Sequence, residues 1–166
     1  MKYFKLFNEQ ENLQYKDGLN TDTNPFDNNP ENSSGVGLYF SDAENIMDFF
    51  GSDSYYIRKV EVPEVELVIK DSDDNEWWAH SLYLHERRSL YEAETWTWLK
   101  EQGVNLFPAL MGAVRNKHTE IVQMLIDAGA NPYVTDRYGR TALWTAYRKN
   151  YIKIALLLIN DRTNQN

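Results

Sequence analysis

The sequence predicts two modules, an α+β module over residues 1–89 and an all-α stack of helix pairs over residues 90–166. Three observations carry this. First, the stretch from Pro108 superposes on the stretch from Thr141 at an offset of 33 residues, pairing Leu110 with Leu143, Ala113 with Ala146, Ile121 with Ile154 and Leu125 with Leu158. Each copy shows apolar residues at helical spacing, a break, and a second apolar stripe, the pattern of helix–turn–helix units that must stack to bury their faces. Second, residues 1–89 hold short β-branched and aromatic runs divided by Gly, Pro, Asn and Asp. Third, charge divides at the same place. Residues 1–89 carry 18 acidic and 8 basic side chains, a net of −10, and residues 90–166 carry 7 and 9, a net of +2.

Taken in order, Tyr3 to Phe7 predicts a short strand, and the Asn-, Asp-, Gly- and Pro-rich residues 8–34 predict a loop. Residues 35–40, G-V-G-L-Y-F, predict a buried strand. Ser41, with Glu44 three residues on, predicts a capping box. The helix it opens runs to about Phe50 with Ile46, Met47, Phe49 and Phe50 inside, and Gly51 ends it. Strands follow at Tyr55–Val62 and Val65–Ile69, split by Pro63, then an acidic turn at 71–76 and a strand at Trp77–Leu84. In the back module, residues 90–102 predict an outer helix that starts the stack, with repeats at about 106–135 and 136–160. Gly129 falls where a left-handed helix terminator is wanted, Gly139 at a hairpin tip, and Thr141 at a helix N-cap. The spacing from Gly103 to Leu110 is half that from Gly129 to Leu143, so the first long hairpin is missing. Two and a half units make a short solenoid, and the front module is expected to cover its first helix.

The residues D-R-Y-G-R-T-A-L-W-T-A, Asp136 to Ala146, and K-H-T-E-I-V-Q-M-L-I-D-A-G-A-N, Lys117 to Asn131, resemble the two halves of the ankyrin repeat. Departures are the Pro108-Ala109 order in place of Thr-Pro, Met111 and Trp144 in place of a histidine, and no glycine terminator near Asn160. The resemblance implies protein binding through hairpin tips and the open side of the inner helices. The matching positions are Arg115, Arg137, Tyr138, Arg140, Arg148 and Lys149, with Trp144 as an aromatic anchor. Arginine and aromatics are enriched at interface hot spots, and arginine suits carboxylate recognition, so the implied partner presents an acidic surface. The plain alternatives are a solvated basic face and an internal dock for the acidic front module.

A second likeness is carried by G-V-G-L-Y-F-S-D-A-E-N-I-M-D-F-F, which resembles the strand–helix element of the ADP-ribosyltransferase fold. It implies that Tyr39 stacks on the nicotinamide of NAD. That family also needs a histidine on its first strand, and Tyr3 to Phe7 has none. The family's late glutamate would fall on Glu61, Glu64, Glu66 or Glu76. The combination of Y-K-D-G-L-N, residues 15–20, with G-L-Y-F and the helical units resembles ankyrin-repeat proteins of giant DNA viruses of amoebae, Mimivirus-like, which implies a host target.

Composition sets the outer bounds. No cysteine is present, which excludes disulfides and thiolate metal sites and suits a reducing compartment. The charged start, M-K-Y-F-K-L-F-N-E-Q, is unlike a signal peptide, and the longest apolar run, Ile154 to Ile159, is too short to span a bilayer. The expectation is an intracellular protein without membrane partners. Net charge disfavours nucleic acid. There is no P-loop, G-x-S-x-G or H-E-x-x-H, so no catalytic residue, cofactor or metal is assigned outside the NAD alternative. The acidic run at 71–76 lacks the glycine and terminal glutamate of a calcium loop. His80 and His85 fall on opposite faces of a continuing strand, and His118 is expected to be structural. Trp77, Trp78, Trp96 and Trp98 are read as core between the modules. The sequence therefore reads as a protein-binding adaptor, and the rival reading is an NAD-binding, ADP-ribosyltransferase-like module steered by the repeats.

Overall fold

The computed structural model describes residues 1–23, 37–71 and 75–160. It comprises two compact units, Met1–Ile46 with Asp53–Ser89, and Met47–Ser52 with Leu90–Asn166.

The first unit is a sheet. Its strands are β1 (Tyr3–Phe7), β2 (Gly18–Thr21), β3 (Leu38–Asp42), β4 (Tyr56–Glu61), β5 (Val68–Lys70), β6 (Trp77–Ala79), β7 (Ser81–Leu84) and β8 (Arg88–Ser89). Every pairing is antiparallel, in the order β2-β7-β4-β1-β3-β6-β5, with β8 beside β4. The predicted single strand Trp77–Leu84 is therefore two. Only His80 separates β6 from β7, yet β6 pairs with β3 and β5 while β7 pairs with β4 and β2. A break at one residue that serves two ends of a sheet requires the sheet to curl, as strand twist favours. The curl encloses Phe7, Leu38, Phe40, Val60, Ala79, Leu82 and Leu84, with Tyr3 and Trp77 packed on them. Tyr3 meets both Phe40 and Trp77 edge-on.

Several predicted elements are corrected. Residues 8–34 are not simply loop: α1 (Glu9–Gln14) and β2 lie within them. Asn8 and Glu11 form a capping box, which starts a helix even in a polar stretch. The remainder of that stretch, 24–34, and residues 35 and 36 of the predicted strand lie outside the described residues. Ser41 is not a cap. It pairs with Phe4 in the β1–β3 ladder, and its hydroxyl donates to the Asn75 carbonyl at 2.6 Å. Asp42 caps instead, its Oδ1 accepting from the Glu44 and Asn45 backbone N–H groups at 3.1 and 3.0 Å. The chain then makes a 3-10 turn, Ile46–Phe49, rather than an α-helix. Val65 is almost fully exposed, so the strand placed there begins only at Val68.

The second unit contains α2 (Ala93–Glu101), α3 (Phe107–Arg115), α4 (Thr119–Asp127), α5 (Ala142–Arg148) and α6 (Ile152–Asn160). Outer helices α4 and α6 begin and end 33 residues apart. The 33-residue offset extends to the backbone: Lys117 and Asn150, both in the turns between paired helices, have φ of 60° and 57°. After α2, the Gly103 and Val104 N–H groups donate to the Lys100 and Leu99 carbonyls. After α4, Gly129 and Ala130 donate to Ile126 and Leu125 in the same way. Both glycines have positive φ, 87° and 84°, as this terminator requires. The first helix thus ends as the outer helix α4 does, and it packs on α4. Ala109, Ala113, Ala142 and Ala146 are fully buried, which lets the inner helices α3 and α5 approach closely.

Met47–Ser52 joins this unit through Phe50. Its ring packs edge-on against Trp96 of α2 at 5.7 Å, and a Cβ added to Gly112 of α3 would lie 3.1 Å from it. Phe50 so fills space beside α2 and α3. Trp96 is fully buried, its Nε1–H donating to the Leu90 carbonyl at 2.9 Å, while Trp98 is half-buried.

Candidate partner-binding surface

The hairpin before α5 is built on Asp136. Its Oδ1 accepts from the backbone N–H groups of Tyr138 and Arg140, and its Oδ2 accepts from Arg140 Nε at 2.8 Å. Arg140 Nη2 lies 2.7 Å and Arg115 Nη2 3.6 Å from the same oxygen. The Arg140 side chain above all, with the Arg140 and Tyr138 backbone N–H groups, holds the Asp136 carboxyl down at about 2. Gly139, φ 72°, allows the turn, and Thr141 caps α5 by accepting from the Trp144 N–H at 3.1 Å.

Upon this frame the predicted residues meet. The Arg137 and Arg140 guanidinium carbons lie 4.9 and 4.5 Å from the Tyr138 ring centroid, and Arg140 and Arg148 lie 5.9 and 5.8 Å from that of Trp144. The result is an alternating ladder: Arg137, Tyr138, Arg140, Trp144, Arg148. Stacking of this kind restrains an arginine while leaving its N–H edge free for a carboxylate. Arg115, Arg140, Trp144, Arg148 and Lys149 line one concavity of about 340 Å³, together with Asn116 and Thr145. Arg137 and Tyr138 line an adjoining one of about 560 Å³ with Arg115, Arg140, Asp48, Phe50 and Met111. Tyr138 and Trp144 are 64% and 46% exposed, large aromatic areas to leave in water. Asp136, Asn116, Thr145 and Asp48 were not singled out from the sequence. Asp136 alone had a signal there, as the first residue of the D-x-x-G match.

Tyr39 lies elsewhere, on β3. Lys5 Nζ sits 3.3 Å from its ring centroid, and its hydroxyl donates weakly to Glu11 at 3.4 Å. Burial first, then the nearby Glu11, Tyr15 and Glu76, push the Tyr39 hydroxyl up to about 12. Lys5 is itself buried, which pulls its ammonium down to about 8 against the opposing pull of Glu11 and Glu76. One face of the Tyr39 ring is thus already in use by a cation. His85 Nε2 lies 3.4 Å from Glu61, and His118 precedes α4, its N–H donating to the Ala113 carbonyl. Among the described residues no three His, Asp or Glu side chains converge as metal ligands, and no helix is long and apolar enough to cross a membrane.

Comparison with known proteins bears on the helical unit and beyond it. Residues 89–166 match the family described as Ankyrin repeats (3 copies). An ankyrin repeat protein of Acanthamoeba polyphaga mimivirus is 33% identical over 142 residues, covering 79% of this chain and 69% of that protein. A second ankyrin repeat protein of the same virus is 29% identical over 138 residues, covering 77% of this chain but only 41% of its own length. The ankyrin repeat protein YahD of Escherichia coli (strain K12) is 46% identical over 43 residues, 26% of this chain and 21% of that protein. No solved structure matches. Both viral likenesses reach past the repeats into the sheet unit, since each covers over three quarters of the chain. Helix pairs repeating at 33 residues, the glycine terminators after α2 and α4, and these relatives agree: the chain belongs to the ankyrin-repeat proteins.

Proposed function

We propose that the chain is a protein-binding adaptor whose repeats grip an acidic surface of a partner, with a host protein as the target of a viral effector. Arg115, Arg137, Arg148 and Lys149 supply ion pairs, and Tyr138 and Trp144 supply apolar contact. The observation that carries the reading is the alternating ladder of arginines and exposed aromatics along the hairpin and α5. Side chains already restrained lose less freedom on binding. Arg140 has a different part, since it is committed to Asp136 and keeps the hairpin in shape.

The test is affinity capture from amoebal lysate with wild type and an Arg137→Glu, Arg148→Glu, Lys149→Glu variant that leaves Arg140 intact. A partner held by wild type and lost by the variant, with an unchanged circular dichroism spectrum, supports the adaptor. Equal capture by both sinks it. The rival reading, NAD binding at Tyr39, is separated by calorimetry with NAD. It requires a heat of binding that Tyr39→Ala abolishes, on a ring with one face already covered by Lys5.

A further inference from the structure

The two concavities of the basic surface differ in charge and in lining. The larger is apolar along α3 and the Met47–Ser52 segment, from Phe50, Phe107, Pro108 and Met111, and the hairpin adds Tyr138. Three arginines line it, Arg115, Arg137 and Arg140, but so do two carboxylates, Asp48 and Asp136. Asp136 engages both Arg140 and Arg115, so much of the positive charge at this end is answered within the protein. Neighbouring groups strip water from Asp48 and raise its carboxyl. A second carboxylate brought beside it would meet both repulsion and loss of hydration. The smaller concavity is the reverse. Arg115, Arg140, Arg148 and Lys149 line it with Trp144, and among the described residues no carboxylate does. Arg115 and Arg140 line both, so the two make one groove with its uncompensated charge at one end. The Tyr138 and Trp144 rings, one from each end, lie 4.5 and 5.9 Å from the Arg140 guanidinium carbon. Extended chain, at roughly 3.3 Å per residue, bridges that separation in about three residues.

We infer that the partner enters this groove with a short extended segment in which a large apolar side chain lies within about three residues of paired carboxylates. This rests on the reading of the chain as an adaptor for an acidic surface, and it adds the apolar half of what is recognised. The apolar side chain packs in the larger concavity against Phe107, Pro108 and Tyr138, and the carboxylates sit in the smaller one beside Arg148 and Lys149. Charge makes the assignment: a carboxylate at the larger end meets Asp48, whereas one at the smaller end meets cations alone. An apolar side chain gains most where the wall is apolar and about 560 Å³ is open to it. The reverse placement would cover the Arg148 and Lys149 donors with hydrocarbon and leave them without acceptors.

Three fluorescein-labelled peptides of roughly ten residues, a length that spans both ends when extended, are the probes. The first carries one leucine in a Gly-Ser background, with a pair of glutamates starting two residues away on each side. The second has serine in place of leucine, and the third has glutamines in place of the glutamates. Anisotropy titration against the full chain should show saturable binding of the first. The second and third should bind about tenfold more weakly, about 1.4 kcal/mol. Phe107→Ser should weaken the first peptide about tenfold and the second less than about twofold, the coupling that a double-mutant cycle reads. Arg148→Glu, Lys149→Glu should weaken both. Phe107 is half-buried at the start of α3, so Tyr138→Ser, at a residue 64% exposed, serves if Phe107→Ser fails to fold. Equal binding of the first two peptides, lost in Arg148→Glu, Lys149→Glu, overturns the inference and leaves the acidic-surface reading standing. Equal weakening of both peptides by the Phe107 or Tyr138 variant overturns it by placing the leucine elsewhere. Binding of the first peptide that Arg148→Glu, Lys149→Glu leaves unchanged overturns the inference and the basic site together. No saturable binding of the first peptide up to about 1 mM also overturns the inference, and lysate capture then decides the adaptor reading by itself.

Discussion

Asp136 is the residue on which the hairpin before α5 depends. With only 12% of its side-chain surface exposed, it accepts two backbone N–H groups and the Arg140 guanidinium, and its carboxyl titrates near 2 instead of the ordinary 3.8. A carboxyl depressed on folding adds stability above its unfolded value and loses it as pH falls through the folded one. The window is therefore about pH 4 down to about pH 2. Asp136→Asn keeps some of the hydrogen bonding but none of the charge. The expected outcome is a lower urea midpoint than wild type at pH 6 and a gap that closes as pH approaches 2. A gap constant across that range would show that charge on Asp136 does not support the fold. The same carboxylate draws Arg115 within 3.6 Å, so the substitution should also loosen the cation shared by both concavities.

At the level of elements, Phe50 fastens the Met47–Ser52 segment to α2 and α3. Its ring closes on Trp96 and lies over Gly112, the α3 residue without a side chain to obstruct it. Phe50→Ala removes a buried aromatic and opens a void beside α2, a loss of about 3–5 kcal/mol. Gly112→Leu would drive a side chain into the same space, a loss of about 1–3 kcal/mol. Both should lower the urea midpoint followed by tryptophan fluorescence, and an unshifted midpoint in Phe50→Ala would show that the ring does not support α2. The repeats were legible because their signals are local: the Gly129 terminator, the Thr141 cap and the 33-residue offset all reappear in the helices. The sheet unit was less so. Asn8 and Glu11 form a capping box whose local pattern is as clear as that at Ser41, but the composition around Asn8 points to loop. Ser41 itself is claimed by strand pairing, a contact with Phe4 far away in sequence. The break at His80 depends on which strands flank it, and no local pattern encodes that. The candidate binding residues are visible in the ankyrin pattern, yet their stacking order, and the role of Asp136 beneath them, exist only in the folded hairpin.

For the whole chain, two electrostatic descriptions give opposite forecasts. Net charge is −8, so an acidic partner should be repelled, and added salt, by screening that repulsion, should tighten the complex. The local description starts from residues 137–160, which hold five basic and no acidic side chains. Contacts made there are ion pairs at close range, and salt weakens them. Close pairs dominate at an interface because Coulomb energy falls with distance and charges beyond about 8–10 Å are screened at physiological salt. The expected outcome is that the dissociation constant for the captured partner rises about 3–10-fold, roughly 0.7–1.4 kcal/mol, as salt goes from about 0.05 to about 0.3 M. The Arg137→Glu, Arg148→Glu, Lys149→Glu variant should bind more weakly throughout and show a flat or reversed dependence. Tightening of the wild-type complex with salt would assign the interaction to the acidic remainder of the chain and remove the basic ladder as its site.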